Sequence, residues 1–329
     1  MKKIGLFFGG MSNETEVSIS SAMNVIKYID TKKYDLTLIY RDKTGDFYHI
    51  NSVDAHKQLQ LENKIHAGDF KKIFEIALLM THGKYGEDGI LQGLLEYQRI
   101  PYCGCHVLSS ALCMDKGMCK IFLTGHDIFQ LPYMIIDLQR DTQNDISQKI
   151  HKIENSFVLP LYIKPSNSGS SIGITKIESY DDLPGAIKIA GKHDSKIIIE
   201  QGLIHPKEIE VAILGNKELI ISEPGELLLN KDFFSYEDKY TPKQTRANIP
   251  ANIPKIQQNK IKELSEKIYK LCDCSGFARI DFFIANDEIY FNEINTLPGF
   301  RDVGMFLMLI NSIGISYKEL LDKIIELAY

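Results

Sequence analysis

Phe277-Ala-Arg-Ile-Asp-Phe-Phe283 and, after a short turn, Tyr290-Phe-Asn-Glu-Ile-Asn-Thr-Leu-Pro-Gly299 are the stretch from which the rest of the chain is best read. Both runs have strand character, and residues 285–288 form the turn between them. Four polar residues, Arg279, Asp281, Glu293 and Asn295, interrupt runs that are otherwise apolar. Alternate side chains of a strand share a face, so Arg279 points with Asp281, and Glu293 with Asn295. Three hard oxygen ligands and one guanidinium then look into a common space. Such oxygens suit Mg²⁺ bridging nucleotide phosphates better than zinc or copper. A generic hairpin with charged positions simply turns them to solvent. Here the opposite face is too apolar, and Pro298-Gly299 too close, for that reading. A metal–nucleotide site is expected.

The chain of 329 residues has room for about two domains, each able to bury a core. With 44% hydrophobic and 25% charged residues it has an ordinary globular composition. A net charge of −5 argues against nucleic acid as the main partner. No apolar run approaches the roughly 20 residues of a membrane span. The opening Met-Lys-Lys-Ile-Gly-Leu-Phe-Phe-Gly-Gly has too short an apolar stretch for a signal peptide and leads into a strand pattern. The expected compartment is the cytoplasm. Six cysteines stand at 103, 105, 113, 119, 272 and 274, in two Cys-x-Cys pairs and not the Cys-x-x-Cys of zinc ribbons. They read as reduced interior residues, with neither a disulfide nor zinc expected.

Strand-like runs at 3–8, 34–40, 47–50, 74–80 and 100–103 alternate with helical spacing at 16–29 and 88–96, which predicts a mostly parallel α/β layer. Ligands of such sheets collect beyond the carboxyl ends of the strands, here near 9–18 and 82–89. From residue 157 the pattern changes. Strands at 157–164, 172–177, 197–201, 209–214 and 219–223 have only short helices between them, which predicts an antiparallel α+β arrangement beginning after a boundary near 104–116. Helices are expected at 259–271 and 316–327. Residues 236–252, rich in Lys, Thr, Pro and Asn, read as a loop over the site.

Lys164-Pro-Ser-Asn-Ser-Gly-Ser-Ser-Ile-Gly173 joins two strands. Gly169 and Gly173 free the backbone, Ser170 and Ser171 add hydroxyls, and successive N–H groups in such a turn make an anion-binding concavity. A flexible polar hairpin fits equally. It is not a Walker loop, since the spacing is wrong and no helix follows. In Ile197-Ile-Ile-Glu200-Gln201-Gly202-Leu203 an apolar strand ends in a polar hinge. Its backbone can meet an adenine edge while Glu200 accepts from the amino group, and Glu208 lies within reach of a ribose hydroxyl. Each carboxylate taken alone also fits a plain surface position. Lys116 and Lys239 are further candidate phosphate cations, though a single lysine is usually just solvated.

Taken in order, these segments resemble the D-alanine–D-alanine ligases of the ATP-grasp superfamily, over most of the chain. The resemblance runs from Gly9-Gly-Met-Ser-Asn-Glu14-Thr-Glu-Val-Ser18, through His82-Gly-Lys-Tyr-Gly-Glu-Asp-Gly89 and Met114-Asp-Lys116, to Arg279-Ile-Asp281 and Asn292-Glu-Ile-Asn-Thr-Leu-Pro-Gly299. It implies an α/β N-terminal parallel-sheet domain (1–115) followed by an α+β two-lobed ATP-grasp domain with lobes at 116–203 and 204–329. It also implies ATP held by Lys116, Lys164, Lys239, Ser170 and Ser171, with Glu200, Gln201, Leu203 and Glu208 at the nucleoside. Two Mg²⁺ ions, or Mn²⁺, would sit on Asp281, Glu293 and Asn295. The implied reaction passes through D-alanyl phosphate to D-alanyl-D-alanine, ADP and phosphate, for peptidoglycan precursors. Arg279 and the Gly299 N–H would stabilise the oxyanion, and Glu14, in a triad with Ser170 and Tyr240, would bind the first D-alanine's ammonium. His82 would lie near that substrate, and residues 236–252 would be the lid. Small-molecule substrates and a homodimer are implied as partners, with neither nucleic acid nor membrane.

The acceptor end departs from the family pattern. Phe300-Arg-Asp-Val-Gly-Met-Phe306 replaces a polar stretch ending in serine, so that Gly304, next to Met305, falls where that serine is expected. Arg301 offers a replacement carboxylate contact or selects a different acceptor. Gly104-Cys105 and Phe300 lean toward the vancomycin-resistance branch. Tyr240, absent from lactate-forming members, favours an amine nucleophile, D-alanine first and D-serine second. A nucleotide-binding protein without ligase activity is the rival from another class. A nicotinamide dehydrogenase fails, because no Gly-x-Gly-x-x-Gly follows the first strand.

Overall fold

Ile4-Gly-Leu-Phe-Phe8 offers no polar side chain to water, which suits the middle of a covered sheet and not its edge. In the computed structural model, which describes residues 1–57, 59–169, 172–228, 246–302 and 304–328, that is where it lies. The first sheet contains β1 (Lys2–Gly9), β2 (Tyr34–Arg41), β3 (Phe47–Ile50), β4 (Lys64–Ile65) and β5 (Ile76–Leu79), in the order β4-β3-β2-β1-β5. β1 runs parallel to β2 and β5, whereas β3 and β4 add antiparallel pairings. The cause of that reversal is local. Asp42 Oδ1 accepts the N–H groups of Thr44 at 2.9 Å and Asp46 at 3.0 Å, closing a turn too short for a crossover. The layer is therefore mixed, with its parallel part at β2-β1-β5. Residues 100–103 contribute a bridge of Tyr102 to Ala77 and not the expected strand.

The second sheet is antiparallel and holds β6 (Tyr133–Asp137), β7 (Leu161–Pro165), β8 (Thr175–Ile177) and β9 (Lys196–Gln201), ordered β6-β9-β7-β8. Helices Gln143–Ser156 and Leu183–Ala190 cover it with Ile153, Leu183, Ala186 and Ile187. The expected strands at 157–164 and 172–177 are shorter than their apolar runs. Pro160 has no N–H to give a ladder, and the glycine-rich turn extends into the second run.

The third sheet holds β10 (Lys207–Leu214), β11 (Ile220–Ile221), β12 (Gly225–Leu227), β13 (Ala247–Asn248), β14 (Phe277–Ala285) and β15 (Glu288–Asn295). Its path is β13-β12-β10-β14-β15, with β11 also on β10. β14 and β15 close through Asn286 and Asp287, at φ of 51° and 64°, the left-handed pair of a tight hairpin. The register then shifts between Asp281 and Phe282. Phe282 pairs with Phe291 but Asp281 with Glu293, leaving Asn292 as the extra residue of a bulge. Parity makes this shift decisive. Without it Asp281 would oppose Asn292, and Glu293 and Asn295 would face the other way. With it Asp281 opposes Glu293, and Arg279 opposes Asn295. Across β10, Glu210 opposes Asp281, so a third acid joins the same face.

The apolar interior does not follow chain order. Phe300, Phe306, Leu309, Tyr317, Leu320 and Ile324, from the C-terminal helices and the loop before them, pack in one cluster with Ile4, Leu6 and Ile76 of the first sheet. The start of β14 is tied to that unit at Gly276, where φ is +70° and a Cβ would stand 2.8 Å from the Gly104 Cα. Gly276→Ala should therefore cost about 2–4 kcal/mol in urea unfolding, from strain plus a backbone clash. Gly314→Ala, at φ +82° but in open space, should cost clearly less. Equal losses would mean that the contact with Gly104 carries no energy.

Candidate active site

The bulged hairpin gathers its charges into one network. Arg279 donates from Nε to Asp281 Oδ1 at 2.8 Å and from Nη2 to Oδ2 at 2.7 Å. Its Nε also lies 2.8 Å from Glu210 Oε2. Asn295 Nδ2 donates to Asp281 Oδ2 at 3.0 Å, and Glu293 stands 3.3 Å from Lys116 Nζ. Burial alone would make Arg279 easier to deprotonate. The Asp281 and Glu210 charges outweigh burial and raise its pKa. The guanidinium is therefore a fixed cation.

Lys116 is presented by the N-terminus of helix Lys116–Thr124, and Asp115 sets its position. Asp115 Oδ1 caps the helix by accepting the Met118 N–H at 3.1 Å and also receives the Ser166 hydroxyl at 2.5 Å. Its Oδ2 pairs with Lys196 at 2.5 Å. Lys116 Nζ thus reaches the turn between β7 and β8, donating to the Ser168 carbonyl at 2.9 Å. One turn on, Lys120 is 2% exposed and pairs with Glu200 at 2.5 Å, while Lys164 takes the other Glu200 oxygen. Burial would raise the Glu200 pKa, but the two lysines win and hold it near 2. Each Glu200 oxygen already faces an ammonium. The carboxylate holds two lysines in place. Gln201 is also engaged, its Oε1 accepting the Val158 N–H at 2.9 Å.

The first unit supplies an acidic corner. Glu14, at the start of helix Thr15–Tyr28, is buried against Gly83 and Gly169, where a Cβ would come within 2.4 and 2.6 Å of its Oε2. Beside it, burial and the Glu14 charge push the Glu87 carboxyl up to about 8. His82 Nδ1 lies 3.0 Å from the Leu297 carbonyl and Nε2 3.1 Å from Ser21 Oγ. A carbonyl only accepts, so Nδ1 carries the proton and Nε2 accepts from Ser21, and burial keeps the ring neutral with a pKa near 4. Ser21 Oγ in turn accepts the Phe300 N–H at 3.2 Å. His82 is thereby a strut holding the 297–300 loop.

Glu87 gives a pH prediction with a definite sign. The folded state binds a proton that the unfolded state has released, from about pH 4.5 to about pH 8, so stability falls as pH rises through that window. Glu87→Gln should flatten this slope and gain on the parent toward pH 8. Urea midpoints measured across the window check it, and parallel slopes would refute a protonated Glu87.

Most of these groups open on one cavity of about 320 Å³, behind which Asp115, Lys120 and Ser21 lie. It is lined by every described residue that the sequence reading placed in the site: Glu14, His82, Lys116, Lys164, Glu200, Gln201, Leu203, Glu208, Arg279, Asp281, Glu293, Asn295, Gly299, Gly304 and Met305. Ser170, Ser171, Lys239 and Tyr240 lie outside the described residues, as does the expected lid except for 246–252, which leaves through β13. Sequence reasoning did not pick out Glu87, Glu210 or Lys120. Glu210 had a legible signal, since it is two residues from Glu208 on an apolar strand and so shares its face. Gly304 also proves to be more than a missing hydroxyl. A Cβ there would stand 3.0 Å from the Arg301 carbonyl and 3.2 Å from that of Gly299, so the tight loop leaves little room for a side chain.

Three sheets in this arrangement, with a charged cleft between them, define an α/β domain joined to an ATP-grasp unit. Residues 3–105 match the family model described as D-ala D-ala ligase N-terminus, and residues 122–326 that described as D-ala D-ala ligase C-terminus. A D-alanine–D-alanine ligase of Caldicellulosiruptor bescii is 40% identical over 99% of this chain and 94% of its own length. Among solved structures, the VanG D-Ala:D-Ser ligase from Enterococcus faecalis is similar with a TM-score of 0.87 and 35% identity, covering 100% of this chain and 99% of that one. The Bacillus anthracis D-alanine–D-alanine ligase complexed with ATP gives 0.77 and 28%, over 100% and 97%. The chain belongs to the D-alanine–D-alanine ligase family. Among the described residues, no helix is long and apolar enough to cross a membrane.

Proposed function

We propose that this ligase joins two D-alanine molecules at the expense of ATP, for peptidoglycan precursors. The observation that carries the reading is the bulge at Asn292, which turns Arg279, Asp281, Glu293 and Asn295 into the same cleft as Lys116 and Lys164. Lys116, Lys164 and Lys239 hold the phosphates, together with the Ser170–Ser171 turn, and residues 200–203 and Glu208 meet the nucleoside. Asp281, Glu293 and the amide oxygen of Asn295 are hard donors clustered on one face, which fits Mg²⁺ or Mn²⁺. Bound there, the ions would neutralise phosphate charge. The carboxylate of the first D-alanine takes the γ-phosphoryl group, giving D-alanyl phosphate and ADP. The amine of the second then displaces phosphate and loses a proton.

Glu14, with Ser170 and Tyr240, takes the first substrate's ammonium, and Glu87 can give up its own proton as that cation arrives. Arg279 and the Gly299 N–H receive the charge that develops on the acyl oxygen. His82 keeps that loop in place. The acceptor carboxylate meets Arg301 and the N-terminal N–H groups of helix Met305–Ser312, which lack intrahelical partners. A homodimer and the domain limits 1–115, 116–203 and 204–329 belong to the same reading, as does a cytoplasmic location.

D-serine as acceptor is the second reading, favoured by the recast loop at Arg301 and Gly304. Phosphate release with ATP, Mg²⁺ and D-alanine alone, with the product identified by mass, decides between them. Abundant D-alanyl-D-alanine is the expected result. Slow release rescued by D-serine would make the mixed dipeptide the product, and no amino-acid-dependent release would end both readings.

A further inference from the structure

Five of the six cysteines meet in the apolar core behind the phosphate-binding lysines, although they are far apart in sequence. Cys113 comes from helix Val107–Met114, Cys119 from helix Lys116–Thr124, and Cys272 caps helix Lys255–Leu271. All three are buried, and their sulfurs lie within 4.8 Å of one another. Cys274, two residues beyond Cys272, is buried in the same cluster. Cys105 is already used, pointing its thiol at the carbonyls of Ser275 and Phe277. Cys103 packs in the other core cluster.

We propose that Cys113, Cys119 and Cys272, with Cys274 as the fourth ligand, form a thiolate site for a soft d¹⁰ cation of the Zn²⁺ class. Sulfurs sharing one tetrahedral zinc, at about 2.3 Å each, lie about 3.8 Å apart, so the observed triangle needs to close by at most about 1 Å. The ligands come from three separate elements, so the ion would cross-link the two helices to the segment entering β14. Thiol–thiol contacts alone give little reason for such convergence, because S–H is a weak donor and sulfur a weak acceptor. Each thiol releases its proton to solvent on binding. Cys113 also borders the cleft, which gives an ion a way in. The two Cys-x-Cys pairs concealed this in the sequence, because ligands 113 and 119 pair with 272 and 274 only through the fold.

Co²⁺ is the probe, added to the whole chain kept reduced with a phosphine. One equivalent should give the sulfur-to-cobalt charge-transfer band of a tetrahedral thiolate centre, bleached by one equivalent of Zn²⁺. Cobalt on the carboxylates of Asp281 and Glu293 gives no such band, so the two sites are distinguishable. Cys119→Ser and Cys272→Ala should each weaken cobalt binding at least tenfold, while Cys103→Ser leaves it unchanged. If a cysteine variant fails to fold, the wild-type titration still decides, because the band intensity counts the thiolates. A wild type without the band, or a band that survives both ligand substitutions, overturns the proposal. The ligase reading stands or falls independently of it.

Discussion

Arg279→Ala is expected to do two separable things: lower kcat by about 10²–10³-fold and destabilise the fold by about 3–5 kcal/mol. The first loss follows from the proposed oxyanion role, since a preorganised donor aimed at developing charge contributes most in a site closed to water. The second follows from the observed network. Asp281 and Glu210 both lean on this guanidinium, at 2.7 and 2.8 Å, and both are largely buried. Removing it leaves two acids without their common counter-charge, and that is dearer than losing the contacts themselves. Arg279→Lys separates the effects. It keeps the charge but not the fork that meets Asp281 through two nitrogens, so most stability should return while kcat stays depressed. Urea midpoints and single-turnover phosphate release measure the two independently. Full kcat in the alanine variant would remove Arg279 from the chemistry, whatever happened to stability.

What was legible in the sequence depended on how local its cause was. The hairpin of β14 and β15 could be read because apolar runs flank a turn of Asn286 and Asp287, and because its polar residues keep a period of two. Their arrival on one face was not derivable from that period. It depends on the single extra residue Asn292, and an Asn inside a strand carries no mark of a bulge. The antiparallel half of the first sheet followed from the Asp42 turn, whose reach is five residues, yet strand alternation alone suggested a parallel layer. The acidic partners escaped for another reason. Glu87 and Glu210 acquire meaning only from charges brought up by other elements, Glu14 in one case and Arg279 in the other. The family resemblance supplied the order of the motifs, but Lys120 belongs to none of those quoted. Its role arises where helix Lys116–Thr124 passes β9.

Lys120→Met gives the second large effect. Glu200 and Lys120 are 3% and 2% exposed, with Lys164 completing the triad. With Lys120 gone, one Glu200 oxygen loses its partner in a place where water cannot replace it, a loss of about 3–5 kcal/mol. Substituting both members, Lys120→Met with Glu200→Leu, should recover much of that stability, because no uncompensated Glu200 charge remains and the Lys164 ammonium left behind lines the cleft, where solvent reaches it. The same double variant should weaken ATP, since Lys164 loses the carboxylate that orients it. That split, stability restored and ATP KM raised, distinguishes a positioning triad from simple core packing. Acid provides an independent check. The Glu200 carboxyl is held near 2 when folded against about 4.5 unfolded, so its contribution is present above pH 4.5 and disappears as pH falls toward 2. On the order of 3 kcal/mol rides on that window, and the double variant should lack it. If the double variant instead kept the acid-sensitive slope, the depressed carboxylate would have to be another residue, and the triad would hold Lys164 without contributing to stability.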